Sequence, residues 1–171
     1  MLLVFSDPHL KAFKMFDSRK DGRSSRLQGI QDAVQTIKDV AAKNAWPTIC
    51  AGDIFDTFSY VENEALNGAA KLFSTWDDFY YIAGNHDLQT KADSYSDDAV
   101  ATHSFTKWAN CHYIDGKVMT LKNGVTVTGL SWRNPRIFAD FFPDADIFVG
   151  HQLIDTPLTP GCLDVKALME K

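Results

Sequence analysis

TICAGDIFD, Thr48 to Asp56, is an apolar run that stops on a glycine and two aspartates three residues apart. A short apolar run closed by a turn signal reads as a buried strand, which leaves Asp53 and Asp56 at its carboxyl end. Three further stretches have the same build. Leu2 to Phe5 leads into Asp7-Pro-His9, Phe79 to Ala83 into Gly84-Asn85-His86-Asp87, and Ile147 to Val149 into Gly150-His151. Strand carboxyl ends are where ligands converge in an open α/β sheet, and carboxylate, imidazole and amide oxygen suit a pair of hard-to-borderline divalent ions. Such a centre is built for phosphoester chemistry. If the aspartates only capped helices and the glycines only turned the chain, His9, His86 and His151 would be left without a reason.

Working outward, the first half alternates strands and helices. Ser25-x-x-Gln28 offers a capping box, and Leu27, Ile30, Val34, Ile37 and Ala41 share one helical face before Asn44 and Pro47 end the run. A strand at Thr48 to Ala51, a helix from about Glu62 to Ser74 and the Phe79 to Ala83 strand complete a βαβαβ start with a parallel sheet. The second half changes character. A helix is expected around Asp97 to Ala109, and Val118 to Leu121 with Val125 to Leu130 flank Asn123-Gly124, a strong hairpin signal. A short helix at Pro135 to Phe142 then precedes the Ile147 to Val149 strand, and Leu163 to Lys171 reads as a last helix.

A chain of 171 residues with 45% hydrophobic content can bury one sizeable core, and no stretch approaches a membrane span. No repeat or linker divides it, so one domain over 1–171 is expected. Met1 leads straight into a core strand without a signal peptide, so a cytoplasmic location is expected. Cys50, Cys111 and Cys162 lack metal or redox spacing and read as incidental thiols.

The four clusters resemble the calcineurin-like metallophosphoesterase superfamily, whose pattern runs D-x-H, GD-x-x, GNH-[DE], H and finally GHxH. The fifth motif does not occur, so the resemblance implies a domain incomplete at its carboxyl end. It also implies the family's two-sheet α/β sandwich, with mixed parallel and antiparallel strands and helices on the outer faces. Within the superfamily, Gly52-Asp-Ile-Phe-Asp-Thr57, Gly84-Asn-His-Asp87 and Gly150-His-Gln-Leu153 look like the nuclease subunit of SbcCD-type DNA repair and recombination complexes, including phage versions. Protein phosphatases continue the second motif with Arg-Gly, where this chain has Thr57-Phe58.

Carried over residue by residue, the resemblance implies Asp7, His9 and Asp53 around one ion and Asp53, Asn85 and His151 around the other. Asp53 would bridge, together with the hydroxide that attacks phosphorus. His86 would protonate the leaving group, and Asp56 matches the family position that pairs with this histidine. Asp87 reads equally as a carboxylate supporting the ligands or as a helix N-cap. Mn²⁺ is the family's metal, although the same donors accept Fe, Zn, Co or Ni. The nuclease branch further implies DNA as partner, an SbcC-like ATPase subunit and a homodimer.

A net charge of −5 disfavours nucleic acid at first sight. Its distribution does not. Lys11, Lys14, Arg19, Lys20, Arg23 and Arg26 crowd one loop that starts two residues beyond His9, and two divalent ions would offset much of the acidity where phosphate sits. The loop reads as a DNA-phosphate contact, or as a solvated mobile connection. His103 and His112 read as surface or locally bonded imidazoles, and Trp46, Trp76, Trp108 and Trp132 as packing, with Trp132-Arg133 a candidate edge of the site. The alternatives to a nuclease are a small-molecule phosphatase or phosphodiesterase, and an incomplete domain that only binds DNA or protein.

Overall fold

The computed structural model describes residues 1–13, 17–57, 60–88, 104–132 and 144–152. Strands β1 (Leu3–Phe5), β4 (Thr48–Cys50), β5 (Phe79–Tyr81) and β6 (Cys111–Tyr113) pair in that order, all parallel. A second sheet holds β7 (Met119–Thr120), β8 (Thr126–Leu130) and β9 (Ile147–Gly150), antiparallel and then parallel. Between β1 and the first helix, β2 (Arg19–Lys20) and β3 (Arg23–Ser24) form a small antiparallel ribbon. The first sheet is apolar on both faces, as a covered parallel sheet must be.

Strand alternation divides the core in two. Cys50, Phe79, Tyr81 and Cys111 face helices α1 (Ser25–Asn44) and α2 (Asn63–Phe73), and meet Leu27, Val34, Ala69 and Phe73 there. Ile49, Tyr80, Ile82 and Ile114 face the other way, against Leu121, Val127 and Val149 of the second sheet. Two sheets packed face to face with helices outside the first give the sandwich expected from the sequence. The aromatic residues thicken the helix-side layer: Phe73 lies 4.7 Å from Phe105 and 4.9 Å from Phe79, ring centre to ring centre. Trp76 is buried among them and Trp108 packs on Phe105 at 4.6 Å, so both are core residues as expected.

The hairpin at Asn123-Gly124 is present, with Gly124 at φ 83° and Met119 opposite Val127. Three details differ from expectation. Helix α1 is capped by Ser24 and not by Ser25: the Ser24 hydroxyl accepts from the Leu27 N–H, while the Asp17 carboxylate accepts from the Arg26 N–H. Gln28 instead donates to Asp32 one turn on. Within the expected Asp97 to Ala109 helix, the described part is a 3-10 turn at Ser104–Lys107. The expected helices at 135–142 and 163–171 lie outside the described residues. Among those described, no helix is long and apolar enough to cross a membrane.

The Lys11 to Arg26 loop contains order that composition concealed. Asp21 at φ 52° and Gly22 at φ 77° close the β2–β3 hairpin, with Lys20 paired to Arg23 across the turn. Two consecutive positive φ values match the right-handed twist of the strands, which is why Asp-Gly favours such turns. Glu64 of α2 holds the ribbon, accepting from the Ser24 N–H at 2.7 Å and the Arg19 guanidinium at 2.9 Å.

Candidate metal centre

All four motif clusters meet at one edge. β1, β4 and β5 run parallel, so Asp7, Asp53 and the 84–87 turn emerge side by side at their carboxyl ends. β9 of the second sheet delivers His151 to the same place, where the His151 N–H donates to the Leu130 carbonyl at 3.1 Å. The Trp132 N–H to the Ala83 carbonyl (2.8 Å) and the Ala83 N–H to Ser131 Oγ (2.9 Å) tie the two sheets together beside it.

The backbone here is strained in a telling way. Of six non-glycine residues with positive φ among those described, three are Asp7 (54°), His9 (45°) and Asp53 (54°). Left-handed backbone at such residues costs on the order of 1–3 kcal/mol each and persists only where the surroundings enforce it. The enforcement is visible. The Asp7 N–H donates to the Gly52 carbonyl, the His9 N–H to the Asp53 carbonyl and the Leu10 N–H to the Ile54 carbonyl, at 3.1, 3.1 and 2.9 Å. Residues 7–10 and 52–55 therefore continue the β1–β4 ladder past its regular end.

Asp53 is the centre of the arrangement. Its side chain is 4% exposed; Oδ1 accepts from the His86 N–H at 2.9 Å, and Oδ2 faces His9 Nε2 at 3.7 Å and His151 Nε2 at 3.5 Å. Burial raises its carboxyl above the ordinary range, against the His86 N–H, which lowers it. Candidate donor atoms gather in two overlapping groups, His9, Asp53 and His86, and Asp7, Asp53 and His151, each within 4.8 Å. Asp53 belongs to both. The distances also hold the expected sets together: His9 Nε2 lies 3.6 Å from Asp7 and 3.7 Å from Asp53, and His151 Nε2 lies 3.2 Å from Asn85 and 3.5 Å from Asp53.

The donor set passes a chemical test for a cation. His151 Nδ1 lies 2.8 Å from the Ala51 carbonyl, which can only accept, so Nδ1 carries the proton and in the neutral ring Nε2 is bare. That bare nitrogen faces Asn85 Oδ1 at 3.2 Å and Asp53 Oδ2 at 3.5 Å. Three acceptors converging without a proton between them repel, and a divalent ion removes the repulsion. His9 Nε2, 3.6 Å from Asp7 Oδ1, presents a similar face.

Asp87 bonds to both motif loops. Its carboxylate accepts from the N–H groups of Ile54, Phe55 and Gly84 at 3.2, 3.0 and 2.9 Å, pinning the loop that carries Asp53 to the turn that carries Asn85. Asp56 departs from expectation. It meets His86 through its backbone carbonyl, 2.7 Å from Nδ1, and not through its carboxylate. The carboxylate instead takes the Lys11 ammonium at 2.6 Å and approaches His9 Nδ1 at 3.4 Å.

The expected DNA contacts have mixed positions. Lys11 is bound to Asp56, whose hydrogen bond raises the Lys11 amine above its usual value. Arg19 is spent on Glu64 and the Gly22 carbonyl, and Arg26 lies over the Phe13 ring at 4.0 Å. Arg23 is exposed; Lys14 lies outside the described residues, as do His103, Arg133 and Cys162. His112 packs against Tyr80 at 5.1 Å, away from the cluster, as a locally packed imidazole should. Trp132 does reach the edge of the site, edge-on to the His151 ring at 6.2 Å. Burial pushes the Cys50 thiol well up and the Cys111 thiol up to about 12, so both are unreactive.

The model of the calcineurin-like phosphoesterase family matches residues 1–166, and the chain belongs to that family. It is accordingly a metal-dependent phosphoester hydrolase domain, of a family that binds divalent metals. No curated protein matches the chain.

Proposed function

We propose that the chain hydrolyses DNA phosphodiester bonds in the manner of an SbcD-type nuclease, with Mn²⁺ as the metal. The observation that carries the hydrolytic part is the sharing of buried Asp53 between two donor groups. Asp7, His9, Asp53, Asn85 and His151 would hold two ions. Bound there, such ions polarise the phosphoryl oxygens and supply a nucleophilic water near neutral pH. Asp87 keeps the ligand-bearing loops in register. His86 has its Nδ1–H fixed on the Asp56 carbonyl, which leaves Nε2 as the atom that would hold a proton for the departing oxygen.

DNA is favoured by the preformed cationic hairpin. β1 ends and α1 begins at the same edge of the sheet, so the intervening ribbon with Arg23 at its turn stands on the side of the metal centre. Trp132 beside His151 adds a ring on which a base could stack. An SbcC-like ATPase partner and a homodimer go with this reading. A small phosphodiester is the second reading, favoured by the −5 charge and by the ion pairs that occupy Lys11 and Arg19. Incubating the protein with Mn²⁺ and either labelled oligonucleotides or bis-p-nitrophenyl phosphate separates them: loss of DNA supports the first, and small-substrate hydrolysis with intact DNA the second.

Two expected results refine the assignment. His86→Ala should lower turnover by roughly 100-fold or more while metal content, read by atomic emission, is unchanged, since a positioned proton donor contributes about 10²–10⁴. Loss of metal would make His86 a ligand, as its grouping with His9 and Asp53 allows. Replacing Lys14, Lys20 and Arg23 together by glutamine should weaken DNA binding and flatten its salt dependence by about 0.9 per lost contact. Arg19 is left in place because it braces the ribbon. An unchanged slope would return the substrate to a small molecule.

A further inference from the structure

We propose that Asp56 is a positioning residue for His9, anchored by Lys11, and not the group that keeps His86 charged. The proposal rests on the metal-centre reading above. An imidazole that offers Nε2 to an ion must keep its proton on Nδ1, and that proton needs an acceptor. His9 Nδ1 is buried without a hydrogen bond, and the acceptor facing it is Asp56 Oδ1, 3.4 Å away. His9 Nε2 faces Asp7 Oδ1 and Asp53 Oδ2 at 3.6 and 3.7 Å. One end of the ring thus looks into the donor cluster and the other at Asp56. Contacts of this kind are often long without ligand and tighten when it binds.

Lys11 gives the carboxylate its place. The bridge between Leu10 and Phe55 extends the β1–β4 ladder outward, so Lys11 and Asp56 come next to each other although 45 positions separate them. Nζ takes Oδ2 at 2.6 Å and leaves Oδ1 for His9. His86 needs neither oxygen, because its Nδ1 is satisfied by the Asp56 carbonyl. Side-chain substitutions at Asp56 therefore keep the backbone contact to His86 and remove those to His9 and Lys11. The two histidines, 4.9 Å apart and nearly perpendicular, are oriented by different atoms of one residue.

The test uses Asp56→Ala, Lys11→Met and Lys11→Arg, with Mn²⁺ affinity by calorimetry and histidine tautomers by long-range ¹H–¹⁵N spectra of the metal-free protein. Asp56→Ala should weaken ion binding about 10- to 100-fold, the usual effect of losing a carboxylate behind a ligating histidine. At saturating Mn²⁺ its pH profile of turnover should match wild type. His9 in the wild type should carry its proton on Nδ1, and in Asp56→Ala should lose that preference. Lys11→Met should weaken binding several-fold and Lys11→Arg restore it. Unchanged affinity with a shifted pH profile in Asp56→Ala would return Asp56 to His86 and overturn the proposal. Unchanged affinity but a raised KM in Lys11→Met would move Lys11 to the substrate and overturn its anchoring role. A wild-type chain that takes up no ion would sink the metal-centre reading itself, whereas one that binds ions with His9 protonated on Nε2 would sink this proposal alone.

Discussion

Asp53→Asn is expected to abolish hydrolysis and two-ion binding while raising the melting temperature of the metal-free protein. The loss follows from sharing. Removing a partner merely behind a ligand costs about 10- to 100-fold in metal affinity, so a carboxylate common to both donor groups should cost more than that at each. The gain in stability follows from burial, which raises the Asp53 carboxyl above its ordinary value. A raised carboxyl means that the folded state binds that proton more tightly than the unfolded chain. Stability is then lost as pH rises from the unfolded to the folded value, and at neutral pH the whole penalty applies. Asparagine carries no charge, still accepts from the His86 N–H, and can turn its amide toward the bare nitrogens of His9 and His151, where Oδ2 stood at 3.7 and 3.5 Å. Thermal unfolding with and without Mn²⁺ checks this: the ion should raise the wild-type midpoint and leave the variant's unmoved. A metal-free variant less stable than wild type would show that the buried charge is already compensated.

The clustering of the motifs at the ends of β1, β4, β5 and β9 was legible because each pairs an apolar run with polar residues at its carboxyl end, and the fold brings those ends together. Period-3.6 burial of Leu27, Val34 and Ala41 in α1, and the Asn123-Gly124 hairpin, were legible for the same local reasons. The misses share a different cause. Asp21-Gly22 carried the same hairpin signal, but its flanking strands, Arg19–Lys20 and Arg23–Ser24, are charged and two residues long, so no alternation announced them. Ser24 and Ser25 are equivalent cap candidates in sequence; Asp17 and Glu64, seven and 40 positions from Ser24, decide between them. Asp56 was rightly placed near His86, yet which of its oxygens does what depends on Lys11 crossing from another strand. Positive φ at Asp7, His9 and Asp53 has only a weak sequence signal, since Asp and His tolerate the left-handed region better than most residues but usually do not adopt it.

Gly84→Ala should be nearly as damaging as losing Asp53, although it removes nothing. A Cβ at position 84 would sit 2.0 Å from Asp53 Oδ1 and 2.4 Å from the Asp53 backbone nitrogen. Neither can retreat: the nitrogen belongs to a left-handed residue locked into the β1–β4 extension, and the carboxylate is held by the His86 N–H. Pushing the two loops apart would also stretch the Asp87 bonds to Ile54 and Phe55, so donor groups on the GDIF and GNHD segments would separate together. Overpacking of this kind costs about 1–3 kcal/mol, occasionally more, and the displaced ligands should cost activity well beyond that. Gly29 gives the control. It is exposed in α1, a Cβ there would meet nothing within 4 Å, and Gly29→Ala should stabilise the helix by about 0.5–1 kcal/mol without touching hydrolysis. Denaturant midpoints and Mn²⁺ titrations on both variants decide the matter. If Gly84→Ala binds two ions with wild-type affinity, the close approach of the two loops is not what sets the metal centre.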